Sequence, residues 1–303
     1  MQTRRHFLSA LSALGAGTLL PACQTASTPA PGTPHRIDVH HHLAPPGFIR
    51  EIVARKTGQI PLMEWTPAKS VEAMDRAGIA TSMVSISEPG VWYGDNAAAR
   101  QLARECNEYG ARMVGDYRGR FGQFASLPIP DVEGSLREIE YAFDVLKADG
   151  ICLMTSYDNR WPGEKEFAPV FDELNRRNAT VFFHPTVAPC SMGLITDVPD
   201  SVIEFPIDTM RAVVSMLYSG TLTRCRNMKF IFSHTGAGVP LLAARISGLV
   251  RRDKRLAAMI PDGPLAELKR LYYDTALSAR PETLAPLLQL VTPANIVFGT
   301  DYP

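Results

Sequence analysis

Thr180-Val181-Phe182-Phe183-His184 and Lys229-Phe230-Ile231-Phe232-Ser233-His234 are two short runs of one design: a nearly unbroken stretch of β-branched and aromatic residues that stops at a histidine. A strand with one face in water alternates apolar and polar residues. These runs barely do, and so read as strands covered on both faces, as in a parallel sheet wrapped by helices. Working outward, six further runs share the character: Ile37–His40, Ser82–Ile86, Gly122–Leu127, Gly150–Met154, Leu271–Thr275 and Ile296–Thr300. Amphipathic segments of helical length lie between them, at Ser70–Ala77, Asp95–Met113, Gly134–Lys147, Glu166–Arg177, Ile207–Gly220, Val239–Val250 and Pro281–Leu290. Strand and helix alternating to an eighth strand predict an α/β fold, the (β/α)8 TIM barrel. An open doubly wound sheet is the competitor, but no GxGxxG follows the first strand, and Gly236-Ala237-Gly238 lacks the third glycine of a dinucleotide loop. The chain stops at Pro303, two residues beyond Asp301, so the expected barrel lacks its final helix and reads as C-terminally truncated.

The N-terminus has another character. Arg4-Arg5 precedes an uncharged apolar stretch from Phe7 to Leu20, the layout of a twin-arginine signal peptide, and that stretch is too short to span a bilayer. Residues 1–22 are therefore expected to be an export signal, 23–35 a Ser/Thr/Pro-rich linker and 36–303 the barrel. Leu20-Pro21-Ala22-Cys23 resembles a lipoprotein cleavage box, which leaves a lipid anchor at Cys23 and plain cleavage as alternatives. The expected location is the periplasm or the envelope surface. Lys plus Arg and Asp plus Glu balance at 31 each with no long basic run, which argues against a nucleic-acid partner. Five irregularly spaced cysteines make neither a disulfide framework nor a CxxC knuckle, so a metal would be held by other residues.

Barrel enzymes place their chemistry at the C-terminal ends of the strands, and four of the seven histidines stand there. In Asp38-Val39-His40-His41-His42 the two-residue strand period turns His40 and His42 to one side and His41 to the other. His184 ends the fifth strand, His234 the sixth, and the eighth runs into Asp301. His184 or His234 alone would be more simply a core histidine, and Asp301 alone a helix cap; it is their joint position that makes a site. Three imidazoles (His40, His42, His184) and the Asp301 carboxylate suit one divalent ion, zinc first and manganese as an alternative. His234 is then the spare acid/base group. Asp274 also ends a strand and reads as a supporting residue. Phe48, Trp92, Tyr93 and Trp161 are candidates to flank a flat ring, and Arg50 or Arg160 to meet a carboxylate.

These motifs, His40–His42, FFHP ending at His184–Pro185, SHTGAG with His234 and GTDYP with Asp301, resemble the amidohydrolase superfamily. More narrowly the chain is similar to the aminocarboxymuconate-semialdehyde decarboxylase-like branch. IDVHHHLAPP, ARECNEYGA, FASLP, EIEYAFDVLKADGI and FPIDTMRAV look most like 6-methylsalicylate decarboxylases. The resemblance implies that His40, His42, His184 and Asp301 bind the metal and that His234 acts beside it. It also implies a mononuclear site, because Gly150–Met154 offers no bridging lysine. The expected reaction is non-oxidative decarboxylation of a small aromatic or dienoic carboxylic acid, with Asp301 or His234 protonating the carbon that loses carbon dioxide. A metal-dependent hydrolase of a lactone, ester or amide is one alternative, and an inactive exported binding protein another. The expected partners are the carboxylic acid substrate, the twin-arginine machinery, the lipid anchor and a second copy of the chain.

Overall fold

The computed structural model describes residues 35–57 and 60–303. The expected signal and all of the expected linker but His35, Cys23 included, lie outside the described residues. Eight strands form one parallel sheet in sequence order: β1 (Arg36–His42), β2 (Ile79–Ser85), β3 (Phe121–Ser126), β4 (Gly150–Met154), β5 (Thr180–His184), β6 (Lys229–Phe232), β7 (Tyr272–Asp274) and β8 (Ile296–Val297). The ring closes where the chain beyond β8 returns to β1. Val39 N–H donates to Phe298 O at 2.9 Å, and His41 bridges Tyr302 in parallel. The expected barrel is the observed one.

The unbroken apolar runs have the predicted cause. In β5, Phe182 turns inward and meets His40 and Phe124 at ring distances of 4.9 and 5.9 Å. Phe183 stacks on Phe232 of β6 at 4.7 Å. Both phenylalanines are fully buried, so each face of the strand is covered. The same two-residue period then carries His184, two residues beyond Phe182, to the inner side at the strand's C-terminal end.

The expected elements differ from the observed ones mainly in extent. A helix at Pro46–Ala54, absent from the expected set, follows β1 and buries Phe48 and Ile52. Phe48 is thus core, not a ring-flanking residue of the mouth. The segment expected as one helix from Gly134 is Val132–Glu140 followed by a π-turn at Tyr141–Val145. The helix expected from Ile207 starts earlier, at Asp200, and carries Pro206 inside its first turns. Short helices at Lys254–Met259 and Pro264–Arg270 precede β7. β8 is two residues long; beyond it the chain runs in extended and bent conformation to Pro303. Among the described residues no helix is long and apolar enough to cross a membrane.

Candidate metal centre

β1 supplies two imidazoles because His40 and His42 are two residues apart and turn the same way, their ring centroids 5.1 Å apart. His184 at the end of β5 lies 5.3 Å from the His40 ring and 4.8 Å from the His42 ring. Asp301 arrives from the far end of the chain: its Oδ1 is 2.8 Å from His40 Nε2 and 2.9 Å from His42 Nε2. One donor atom from each of His40, His42, His184 and Asp301 lies within 4.8 Å of the others. Gly299 permits this return of the chain, because a Cβ there would stand 2.9 Å from the Cβ of His40 and 3.2 Å from the carboxyl carbon of Asp274.

The outer nitrogens are already committed. His40 Nδ1 is 2.8 Å from Asp274 Oδ2, and His184 Nδ1 is 2.7 Å from Pro185 O. Carboxylate and carbonyl only accept, so both Nδ1 atoms carry hydrogen toward them when the rings are neutral, and each Nε2 keeps a lone pair, the usual arrangement of metal-ligating histidines. His40 Nε2, His42 Nδ1 and His234 Nε2 are buried and make no hydrogen bond. Buried polar atoms are ordinarily paired, so the unpartnered Nε2 atoms of His40 and His234 beside the Asp301 carboxylate suit a cation. The donor set of three imidazoles and one carboxylate suits a borderline-to-hard divalent ion.

The electrostatics agree. Burial holds His184 well below the ordinary histidine range, helped by the neighbouring imidazoles, and burial also lowers His42, against the pull of Asp301. Both are therefore neutral, ready donors. Burial would lower His40 as well, but the Asp274 and Asp301 charges overcome it and push the ring up to about 10. Burial alone would raise Asp301; the His40 charge, the hydrogen bond from His42 and the close approach of the His40 and His234 imidazoles outweigh it and hold the carboxyl far below its usual range.

His234 follows β6 with φ +54°, and Thr235 and Ala237 also have positive φ, a rare conformation for non-glycine residues. Backbone strain of this kind persists where surroundings over-determine it. Here Asp274 Oδ1 accepts the His234 N–H at 2.8 Å while Oδ2 faces His40. The turn sets His234 Nε2 at 3.4 Å from Asp301 Oδ2, at the edge of the cluster. Asp274 therefore touches both the innermost imidazole and the backbone of the spare one, which is the supporting position expected for it.

A family profile described as Amidohydrolase spans residues 37–303. The chain belongs to the amidohydrolase family. It is 36% identical over 286 residues to the decarboxylase yanB of Aspergillus niger, covering 88% of this chain and 77% of that one. It is also 36% identical over 280 residues to a 6-methylsalicylic acid decarboxylase of Aspergillus aculeatus, covering 88% and 84%. Among solved structures, an amidohydrolase II superposes with TM-score 0.80 at 26% identity over 89% of this chain and 87% of that one. A dihydroxybenzoic acid decarboxylase from Polaromonas, solved with bound manganese and an inhibitor, shares the fold with TM-score 0.74 at 22% identity, over 88% and 86%.

In this amidohydrolase a cleft of about 400 Å³ opens at the same end of the barrel, lined by continuations of β2, β4 and β5 that include Glu88, Trp92, Tyr93, Ser156, Tyr157 and Thr186. Trp92 and Tyr93 are thus mouth residues, as expected. Trp161 instead donates its indole N–H to buried Asp208 at 2.8 Å. Arg50 pairs with Glu105 and Arg160 with Glu164, so both guanidinium groups are engaged by carboxylates of the chain itself. Glu88 went unnoticed in the sequence. Burial, with a contribution from Asp200, pushes its carboxyl up to about 7. Its one sequence signal is position, immediately after the run Ser82–Ile86, where this fold places working residues.

Proposed function

We propose that this protein is a metal-dependent, non-oxidative decarboxylase of a small salicylate-like aromatic acid. The observation that carries the reading is the convergence of His40, His42, His184 and Asp301 within 4.8 Å, with His234 Nε2 3.4 Å from Asp301. Decarboxylase names on relatives at 36% identity, over most of both chains, support it. We assign the first four residues as metal ligands. Zinc is the ion we expect, and manganese, present in the Polaromonas structure, is the alternative. When bound, the ion would supply a Lewis-acidic anchor for the substrate carboxylate and a neighbouring hydroxyl.

The chain's own residues do the rest. His234 and Asp301 form a proton-holding pair beside the anchored ring, and one of them delivers a proton to the carbon bearing the carboxylate. The C–C bond then breaks, its electron pair returns to the ring, and carbon dioxide leaves with aromaticity restored. Proton in and carbon dioxide out balance without any redox cofactor. Trp92 and Tyr93 form part of an aromatic wall along the cleft through which a flat acid would enter. We also propose that residues 1–22 direct export through the twin-arginine route.

Purified protein loaded with zinc or manganese and offered 6-methylsalicylate and the hydroxybenzoates is expected to release one carbon dioxide per phenol formed. Acid release from lactones or esters with no carbon dioxide from any arene acid would instead establish the hydrolase alternative.

A further inference from the structure

The middle histidine of the triplet takes no part in the ligand cluster, yet it is 1% exposed. Its position follows from a defect in β1. Against β2, the register slips between Asp38, opposite Ser82, and His41, opposite Val84, so β1 holds one extra residue. Residues three apart on a regular strand face opposite ways, but the slip brings Asp38 and His41 together. His41 Nδ1 lies 3.1 Å from Asp38 Oδ2, and Nε2 lies 2.9 Å from Ser70 Oγ, which receives the Trp65 indole N–H at 2.8 Å. A carboxylate only accepts and an indole only donates. With a neutral His41 ring the chain runs one way, from Trp65 through the Ser70 hydroxyl to His41 Nε2, and from Nδ1–H to Asp38.

Asp38, fully buried, uses its remaining capacity on the other end of the domain. Oδ1 accepts the backbone N–H of Thr300 at 3.0 Å and of His40 at 3.1 Å, and Oδ2 accepts the Thr300 hydroxyl at 2.6 Å. The His41 ring stacks on Tyr302 at 4.8 Å, and His42 N–H donates to Tyr302 O at 2.7 Å. Asp301 sits between these two gripped neighbours with φ +67°, a conformation that a non-glycine residue keeps only when its surroundings enforce it. Its own N–H donates to His40 O at 2.8 Å.

We propose that Asp38 and His41 are positioning residues: they clamp Thr300 and Tyr302 and so set the Asp301 carboxylate in register with His40 and His42 for the ion. The inference rests on the reading of those residues as ligands. A network serving the fold alone would, when cut, lower stability and leave the coordination of a bound ion unchanged. A clamp would, when cut, let the carboxylate wander.

The test uses the full-length protein loaded with cobalt(II), whose visible absorption reports its ligands, alongside zinc competition titrations. His41→Phe keeps a flat ring against Tyr302 and loses both ring hydrogen bonds; Thr300→Val removes the hydroxyl that meets Asp38. In both, zinc affinity is expected to fall by about tenfold or more, the scale seen when groups that orient ligands are removed. The cobalt bands are expected to shift in position and intensity. Affinity and bands within twofold of the parent in the folded variants, even with a lowered melting temperature, would overturn the clamp. If His41→Phe fails to fold, Thr300→Val decides, since Thr300 is only half-buried. A parent protein that takes up neither ion overturns the ligand reading itself, and that is seen before any variant is compared.

Discussion

Two polar clusters are buried in this barrel to the same depth and finished in opposite ways. Beside β3, Asn107 donates Nδ2–H to Ser126 O at 2.9 Å and to Glu138 at 2.8 Å, and its Oδ1 accepts Ser126 N–H at 2.7 Å. Arg104 closes Glu138 with N–H bonds at 2.8 and 3.0 Å and lies over the Tyr141 ring. Donors meet acceptors and opposite charges meet around Asn107 and Glu138, so the cluster holds helix Asn96–Asp116 and helix Val132–Glu140 to the sheet. At the mouth, four imidazoles crowd one carboxylate and three ring nitrogens stay unbonded. Asn107 is 1% exposed and His42 3%. Burial does not distinguish the two; the gathering of several unpaired ring nitrogens around one carboxylate does.

The widest separation between the clusters is expected from deleting a ligand. Asp301→Ala or His42→Ala should lower carbon dioxide release by ~10³-fold or more, the order lost with a principal electrostatic group, and drop bound metal below one per chain. Asn107→Ala should do the reverse. It strands Ser126 N–H and Glu138, so urea denaturation should register a loss of roughly 3 kcal/mol while metal affinity stays within twofold. Metal loss from the Asn107 variant, with its stability intact, would erase the distinction.

The pH response separates them further. His40 is held at about 10 in the ion-free fold against an ordinary 6.5, so its proton stabilises that fold fully below about 6.5, and the contribution is lost as pH rises toward 10. A ligand must give up that proton. Apparent metal affinity should therefore rise by about tenfold per pH unit between pH 7 and 9, read by competition titration, and a flat profile would contradict the assignment. The smallest effect is expected at Glu88. Its carboxyl is neutral below about 7 and charged above, so Glu88→Gln should leave KM for an anionic acid unchanged at pH 6. At pH 8 the same change should lower KM by about two- to threefold, through removal of one like charge at partial solvent exposure.

Much of this was legible in the chain. The doubly covered strands declared themselves through runs such as Thr180–His184, because a two-residue period leaves no polar face when both sides are buried. The convergence of the four proposed ligands was legible for the same reason: position at a strand end and spacing of two fix where a side chain points. What the sequence hid depended on geometry between distant segments. The extra residue in β1 leaves no local mark, so His41 read as merely facing away while its partners Ser70, Asp38 and Tyr302 lie on three separate elements. Arg50 and Phe48 looked available in the sequence because nothing local reveals Glu105 or the packing over Pro46–Ala54, whereas Glu164, the partner of Arg160, stands only four residues on. The signal and linker, residues 1–35, remain an expectation from the sequence and a proposal.

The hydrogen bond from His42 to Asp301 joins residues 259 positions apart. Two of the proposed ligands leave the ribosome with the first strand, and the carboxylate leaves only after the eighth. A nascent chain can therefore assemble no complete donor set until nearly every strand has been made, and closing so long a loop is among the slower events of folding. Occupancy of the proposed site thus reports that synthesis has passed the eighth strand: a chain stopped or misclosed before Asp301 joins His40 and His42 is left metal-poor and distinguishable.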